Sequence, residues 1–291
     1  MGGRLALLLS SALGARAGDS FGILLYHRAA PVPEGVEAPT MNVTPARFRE
    51  QIEGLLESDY EFWPIRDVIQ HVREGQPIPA NVVVLTFDDG YQNFYLNVWP
   101  LLLQWRVPAT LFVATGYVDT IGPFPFDRWG CANYRRVAPE AWQPLTWSQC
   151  RKMERSGVVD IGSHSHRHRN FRGEPDELRQ DLMTSLALLK QELGPAPRAF
   201  AFPYGSARGG FVDASLIASA RACGVTCSLT TEIRLASPAT DPFTWGRLEV
   251  VDTDSSAIIR AKLEGWYDWM EAARHVYRHA YRRLAFAHRG T

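Results

Sequence analysis

The sequence is poor in cysteine, histidine and net charge, and it has no long apolar run. Its only cysteines are Cys131, Cys150, Cys223 and Cys227. None of them forms a C-x-x-C pair, which argues against a zinc–thiolate site and implies no disulfide framework. The formal net charge is +0, so nothing suggests nucleic acid as a partner. No stretch reaches the roughly 18 apolar residues of a membrane span. Histidine is scarce, 8 in 291 residues, so a cluster of it is informative.

Apolar residues are plentiful, at 46%, ample for a large buried core as one big domain or two small ones. Strand and helix patterns alternate throughout, which favours one α/β domain of barrel size, with no internal repeat and no low-complexity segment. Residues 1–20 are ambiguous. The run Leu5 to Leu13 followed by Ala15-Arg16-Ala17 resembles a short signal peptide. It also reads as a docked amphipathic helix, with Leu5, Leu8, Leu9 and Ala12 on one face. The short run, and Arg16 inside the would-be cleavage site, favour the helix. The expected location is therefore cytoplasmic or membrane-peripheral, or exported if residues 1–17 are a signal peptide.

The expected domain spans residues 21–254. Its centre is Val82-Val83-Val84-Leu85-Thr86-Phe87-Asp88-Asp89-Gly90, a buried strand that ends in two carboxylates. α/β folds keep their chemistry at such carboxyl ends. Adjacent buried carboxylates repel, so either a cation or a hydrogen-bonded acid/base pair has to hold them. An ordinary Asp-Gly turn is the plain alternative. Upstream, Phe21 to Tyr26 reads as a first strand with His27 at its end. Thr44 and Pro45 open a helix. Tyr91 to Trp105 reads as another, with Pro100 implying a kink or a late start.

Residues 115–145 form a long insertion rich in glycine, proline and aromatics, the kind of loop that serves as a lid or binding element. Phe126, Asp127 and Trp129 are its substrate-contact candidates, because aromatic planes suit the apolar faces of sugars. A satellite cluster folded over the barrel explains the aromatics equally well. Val158 to Gly162 is a strand that ends in Ser163-His164-Ser165-His166-Arg167-His168. Histidines at alternate positions after a strand point to metal binding, with the carboxylate supplied by Asp88-Asp89. Pro175 to Leu193 is a strong helix with a leucine stripe. Arg198 to Phe202 is a strand cut by Pro203-Tyr204-Gly205. Trp245 to Val251 is a last strand. Residues 255–291 read as a long basic amphipathic helix that includes Arg274, Arg278, Arg282 and Arg283. Such a helix makes peripheral contact with an anionic membrane, or is a solvated helix whose arginine stems cover apolar surface.

The ordered trio Thr-Phe-Asp-Asp-Gly, His-Ser-x-x-His and Phe-x-x-Pro-Tyr-Gly resembles the polysaccharide deacetylase family, the NodB-homology domain, over roughly Gly22 to Val251. The resemblance implies an α/β fold, a distorted (β/α) barrel with about seven parallel strands. It implies hydrolysis of acetyl groups from sugars with a divalent metal, commonly zinc. It assigns Asp88 as general base, Asp89, His164 and His168 as metal ligands, and the backbone N–H of Tyr204, between Pro203 and Gly205, to the oxyanion. His166 falls at a variable position, turned away or supporting the ligands from behind, with Ser165 beside it.

Two departures stand out. The arginine that supports the base in many members is here Ala201. Arg198 does not replace it, because strand alternation turns it to the opposite face, so Arg247 becomes the candidate partner. The late general-acid histidine is also missing. Tyr26-His27 resembles members with a permuted arrangement, which gives His27 the role of protonating the leaving amine. The expected substrate is an N-acetylated saccharide of a polysaccharide or lipid carrier. A deformylase or O-deacetylase on the same scaffold is the enzymatic alternative. A carbohydrate-binding protein on a dead barrel is the non-enzymatic one.

Overall fold

Buried apolar runs become the strands of this protein, and amphipathic segments become the helices that cover them. The computed structural model describes residues 20–265 except residue 197. The chain begins with β1 (Gly22–Tyr26), β2 (Arg28–Ala29), β3 (Asn42–Val43), α1 (Pro45–Leu56), β4 (Glu61–Phe62), α2 (Ile65–Glu74) and β5 (Val82–Phe87). It continues through α3 (Trp99–Trp105), β6 (Ala109–Val113), α4 (Arg128–Asn133), α5 (Trp147–Arg155), β7 (Val159–Ser163) and α6 (Pro175–Leu193). It then forms β8 (Phe200–Ala201), α7 (Ala214–Ala222), β9 (Ser228–Leu229), β10 (Leu248–Glu249) and α8 (Ser256–Leu263).

Seven strands pair in the order β10-β1-β5-β6-β7-β8-β9, and β4 pairs with the start of β5. Every pairing in this sheet is parallel. A parallel bridge from Leu229 to Trp245 brings the segment that enters β10 against β9. The sheet therefore curls into the expected distorted (β/α) barrel.

Strand alternation sorts the side chains. Val83, Leu85 and Phe87 of β5 pack in one apolar cluster with Phe48 and Ile52 of α1 and Leu102 of α3. Val82 and Val84 join a second cluster with Ile23, Phe112, Ala201 and Trp245, closed by Ile65, Val68 and Ile69 of α2. That second face continues through Thr86 to Asp88, so the period of two aims Asp88 into the barrel.

The expected caps are present. The Thr44 side chain accepts from the Arg47 N–H, and Thr146 with Gln149 forms a capping box on α5. A π-type turn, Phe94–Val98, precedes α3. Pro100 thereby falls in the first turn of α3, where its missing N–H leaves no bond unmade. The insertion contains one short α-helix, α4, and a 3-10 turn, Pro139–Ala141. In the terminal stretch α8 ends at Leu263, and Gly265 follows with φ of 79°. The remainder of the expected basic helix, with its arginines, and the N-terminal segment lie outside the described residues. Among the described residues no helix is long and apolar enough to cross a membrane.

Candidate active site

The carboxyl ends of β1, β5, β7 and β8 meet around one cleft of about 480 Å3, lined among others by His27, Asp88, Asp89, His164, His168 and Tyr204. A cavity of about 520 Å3 lies at the other ends of the strands, beside α2. It has no cluster of ligating side chains; the one such group among the described residues is in the first cleft.

Asp88 is 1% exposed, and Arg247 reaches it as a fork. Arg247 Nη1 donates to Asp88 Oδ1 at 2.7 Å and Nη2 to Oδ2 at 2.7 Å. The guanidinium is itself held by its Nε donating to the Thr230 carbonyl at 3.0 Å. Burial raises the Asp88 carboxyl, but the Arg247 charge and its two hydrogen bonds outweigh it and hold the group below the ordinary range. Arg247 thus supplies the guanidinium partner of Asp88 that Ala201 does not. Arg198 points elsewhere: it pairs with Glu154 at 2.6 Å and donates to the carbonyl of Ile161.

Asp89 takes φ of 73°, and Gly90 follows at 90°. A Cβ built on Gly90 meets Val113 Cγ1 at 3.0 Å, so the turn requires glycine on both grounds. The turn brings Asp89 Oδ1 to 3.5 Å from His164 Nε2 and 3.5 Å from His168 Nε2. Ligand atoms of the three residues all lie within 4.8 Å of one another. His164 Nδ1 donates to the Ala201 carbonyl at 2.8 Å, which leaves its Nε2 lone pair facing Asp89. Burial and the neighbouring Asp88 push the Asp89 carboxyl up to about 8. Burial lowers both imidazoles, keeping them in the neutral, ligating form. One carboxylate and two neutral imidazoles would suit a divalent cation, whose charge would offset the repulsion between Asp89 and Asp88.

His27 Nε2 lies 4.0 Å from Asp88 Oδ2. Burial lowers its pKa to about 4, with Asp88 opposing the shift. Tyr204 has φ of 62° and is fixed through Thr231, whose Oγ1 donates to the Tyr204 carbonyl at 3.0 Å and whose N–H donates to that of Gly205 at 2.9 Å. Non-glycine residues with positive φ are few, and Asp89, Ser165, His168 and Tyr204 are four of them. Such strain gathers where function over-determines the backbone.

The insertion supplies one wall. Phe126 stacks on the His168 ring at 3.7 Å between centroids. Trp129 lines the cleft and donates its indole N–H to the Glu37 carbonyl at 2.7 Å. Asp127 also lines the cleft, but it is not free for substrate: one oxygen pairs with Arg28 and the other accepts from the Gly130 N–H. His166 turns away from Asp89, its Nδ1 meeting Thr115 Oγ1 at 3.1 Å. Ser165 Oγ accepts from the His168 N–H at 3.0 Å. Sequence reasoning missed Arg28, which is 4% exposed. Besides Asp127 it binds the Ala141 carbonyl at 2.7 Å and lies over the Tyr91 ring. Its position next to His27 was the available signal.

A parallel barrel whose strand ends bring a buried carboxylate beside a carboxylate–imidazole cluster able to hold a metal fits a hydrolase. A sequence profile of the polysaccharide deacetylase family matches residues 75–228, more than half of the chain. The chain belongs to that family.

A poly-β-1,6-N-acetyl-D-glucosamine N-deacetylase from Escherichia coli K12 is 29% identical over 204 residues, covering 60% of this chain and 30% of that protein. The protein of the same name from Staphylococcus epidermidis is 24% identical over 233 residues, covering 77% of this chain and 73% of its own length. The chain thus spans about 30% of the length of the E. coli relative. In fold it is similar to IcaB from Ammonifex degensii, at 23% identity and a TM-score of 0.69, over 85% of this chain and 98% of that one. It is also similar to the Streptococcus pyogenes deacetylase PplD, solved in complex with acetate, at 22% identity and a TM-score of 0.68, over 84% and 98%.

Proposed function

We propose that the chain hydrolyses N-acetyl groups of a β-1,6-linked N-acetylglucosamine polymer or a closely similar saccharide, releasing acetate. The observation that carries this is the meeting of His27, Asp88 with its Arg247 fork, and the Asp89–His164–His168 set in one cleft. The relatives' activity indicates the substrate class.

Asp89, His164 and His168 would hold a divalent cation, with zinc the expected ion for one carboxylate and two imidazoles. When bound, it supplies a Lewis acid for the acetyl carbonyl and makes the attacking water more acidic. Asp88 takes the proton of that water, with Arg247 fixing the carboxylate's plane. The Tyr204 backbone N–H donates to the developing oxyanion. In this division of labour His27 has to take up a proton first, against a pKa lowered to about 4, and then passes it to the leaving amine. Phe126, Trp129 and the Tyr204 ring offer flat apolar faces to the sugar.

One observation favours a second division of labour. Arg247 occupies both Asp88 oxygens at 2.7 Å, which weakens Asp88 as a base, whereas His27 is neutral and able to carry the proton from water to amine. An activated aryl acetate, whose leaving group needs no proton, separates the two. His27→Ala spares its hydrolysis if Asp88 is the base and abolishes it if His27 makes both transfers.

The substrate proposal is tested by measuring acyl release across acetylated and formylated saccharides, with Asp88→Asn as control. Acetate released from N-acetylglucosamine oligomers by the wild type alone supports it. Formate alone, or no acyl release, sinks it.

A further inference from the structure

The loop that carries His164 and His168 takes positive φ at Ser165 (65°) and at His168 (49°). Left-handed backbone at non-glycine residues is unfavourable and persists only where neighbours impose it. On one side the N–H groups of Thr115 and Gly116 donate to the Ser165 and His166 carbonyls at 3.2 and 2.8 Å; the other neighbours are on α6. Asp181 is buried on the apolar face of that helix, in line with Leu178, Leu182 and Ser185, and its side chain has no solvent exposure. A carboxylate in that position needs several donors. All of the donors come from the loop. Asp181 Oδ1 accepts from the His166 N–H at 2.6 Å and the Arg167 N–H at 3.2 Å, and Oδ2 accepts from Arg167 Nε at 2.6 Å. One turn further along the helix, Ser185 Oγ meets Ser163 Oγ at 2.8 Å. Ser163 Oγ in turn accepts from the Ser165 N–H at 3.1 Å.

We infer that Asp181, with Ser185 as its weaker partner, is a positioning residue that holds the His164–His168 loop in the shape that lets both imidazoles face Asp89. The inference rests on reading Asp89, His164 and His168 as the metal site. Asp181 touches neither ring. It acts on the two peptide N–H groups between the ligands, so its loss separates the ligands without removing either. Groups that orient metal ligands from behind commonly set affinity by about 10- to 100-fold.

The test is competitive metal titration of the whole chain against a chromogenic chelator, with the visible spectrum of the cobalt-loaded protein as a second readout. The expected result is that Asp181→Asn raises the zinc dissociation constant about 10-fold or more and alters the cobalt band, while far-UV circular dichroism is unchanged. A folded Asp181→Asn protein with wild-type affinity and spectrum overturns the inference. If that variant fails to fold, Ser185→Ala decides, with a weakened affinity expected and an unchanged one contrary. A wild type that binds neither ion contradicts the metal-site reading itself and takes the inference with it.

Discussion

Deleting the Arg247 charge tests the core of the site through stability as well as through turnover. Arg247 and Asp88 are 0% and 1% exposed, and two hydrogen bonds of 2.7 Å join them. Arg247→Met keeps most of the volume and leaves Asp88 as an unpaired buried carboxylate. Breaking a buried pair from one side costs about 3–5 kcal/mol, and a domain somewhat smaller than this loses about 2–4 °C of Tm per kcal/mol, so a fall of roughly 6–20 °C is expected. Asp88→Asn strands the guanidinium in the same way. The double variant strands neither charge, so its cost should fall short of the sum of the singles by at least about 2 kcal/mol. Urea unfolding followed by circular dichroism, with chelator present so that metal linkage does not enter, measures all four proteins. Costs that add to within about 0.5 kcal/mol would refute the fork as a coupled pair.

Removing metal with dipicolinate should abolish acetate release, and zinc at about 100 times its dissociation constant should restore both activity and about 2.7 kcal/mol of stability, read by thermal shift. Gly90→Ala should cost about 1–3 kcal/mol, because φ is 90° and Val113 blocks the new methyl; an unchanged urea midpoint would contradict the turn geometry. Asp127→Ala leaves the buried Arg28 unpaired and should open residues 115–145 to trypsin, with wild-type resistance the contrary result. Asp213 caps α7, and its carboxyl is lowered by its bonds to Ser215 and Leu216. A folded-state pKa below the unfolded one means the stabilisation is present above the unfolded pKa and is lost as pH falls through the folded value. Asp213→Ala should therefore cost about 1 kcal/mol at neutral pH and progressively less in acid, as urea midpoints at several pH values would show.

Much of the barrel was legible because its strands are uninterrupted β-branched runs and its helices carry caps and leucine stripes. The period of two that aims Asp88 inward could be read directly from β5. The meeting of Asp89 with His164 and His168 was legible because scarce histidines follow one strand. Arg247 was harder to find: it lies 159 positions from Asp88, and only the alanine at position 201 hinted that a distant cation was needed. Arg28 and Asp181 were not found. Each resembles an ordinary surface charge in sequence, and only the packed fold shows that Arg28 lies under the insertion and Asp181 under the His164–His168 loop. The insertion lacked periodicity because its shape depends on ties to other segments, such as Trp129 to Glu37 and Arg136 to Gly35, rather than on a repeating face of its own.

The central claim is that this cleft cuts the amide of an N-acetylated sugar polymer. Its most direct test is to incubate the purified zinc-loaded chain with β-1,6-linked N-acetylglucosamine oligomers and quantify acetate and new primary amine together. Equal amounts of the two, growing with time in the wild type and absent with Asp88→Asn, are the expected result. Neither product from a folded, zinc-loaded wild type would contradict the account.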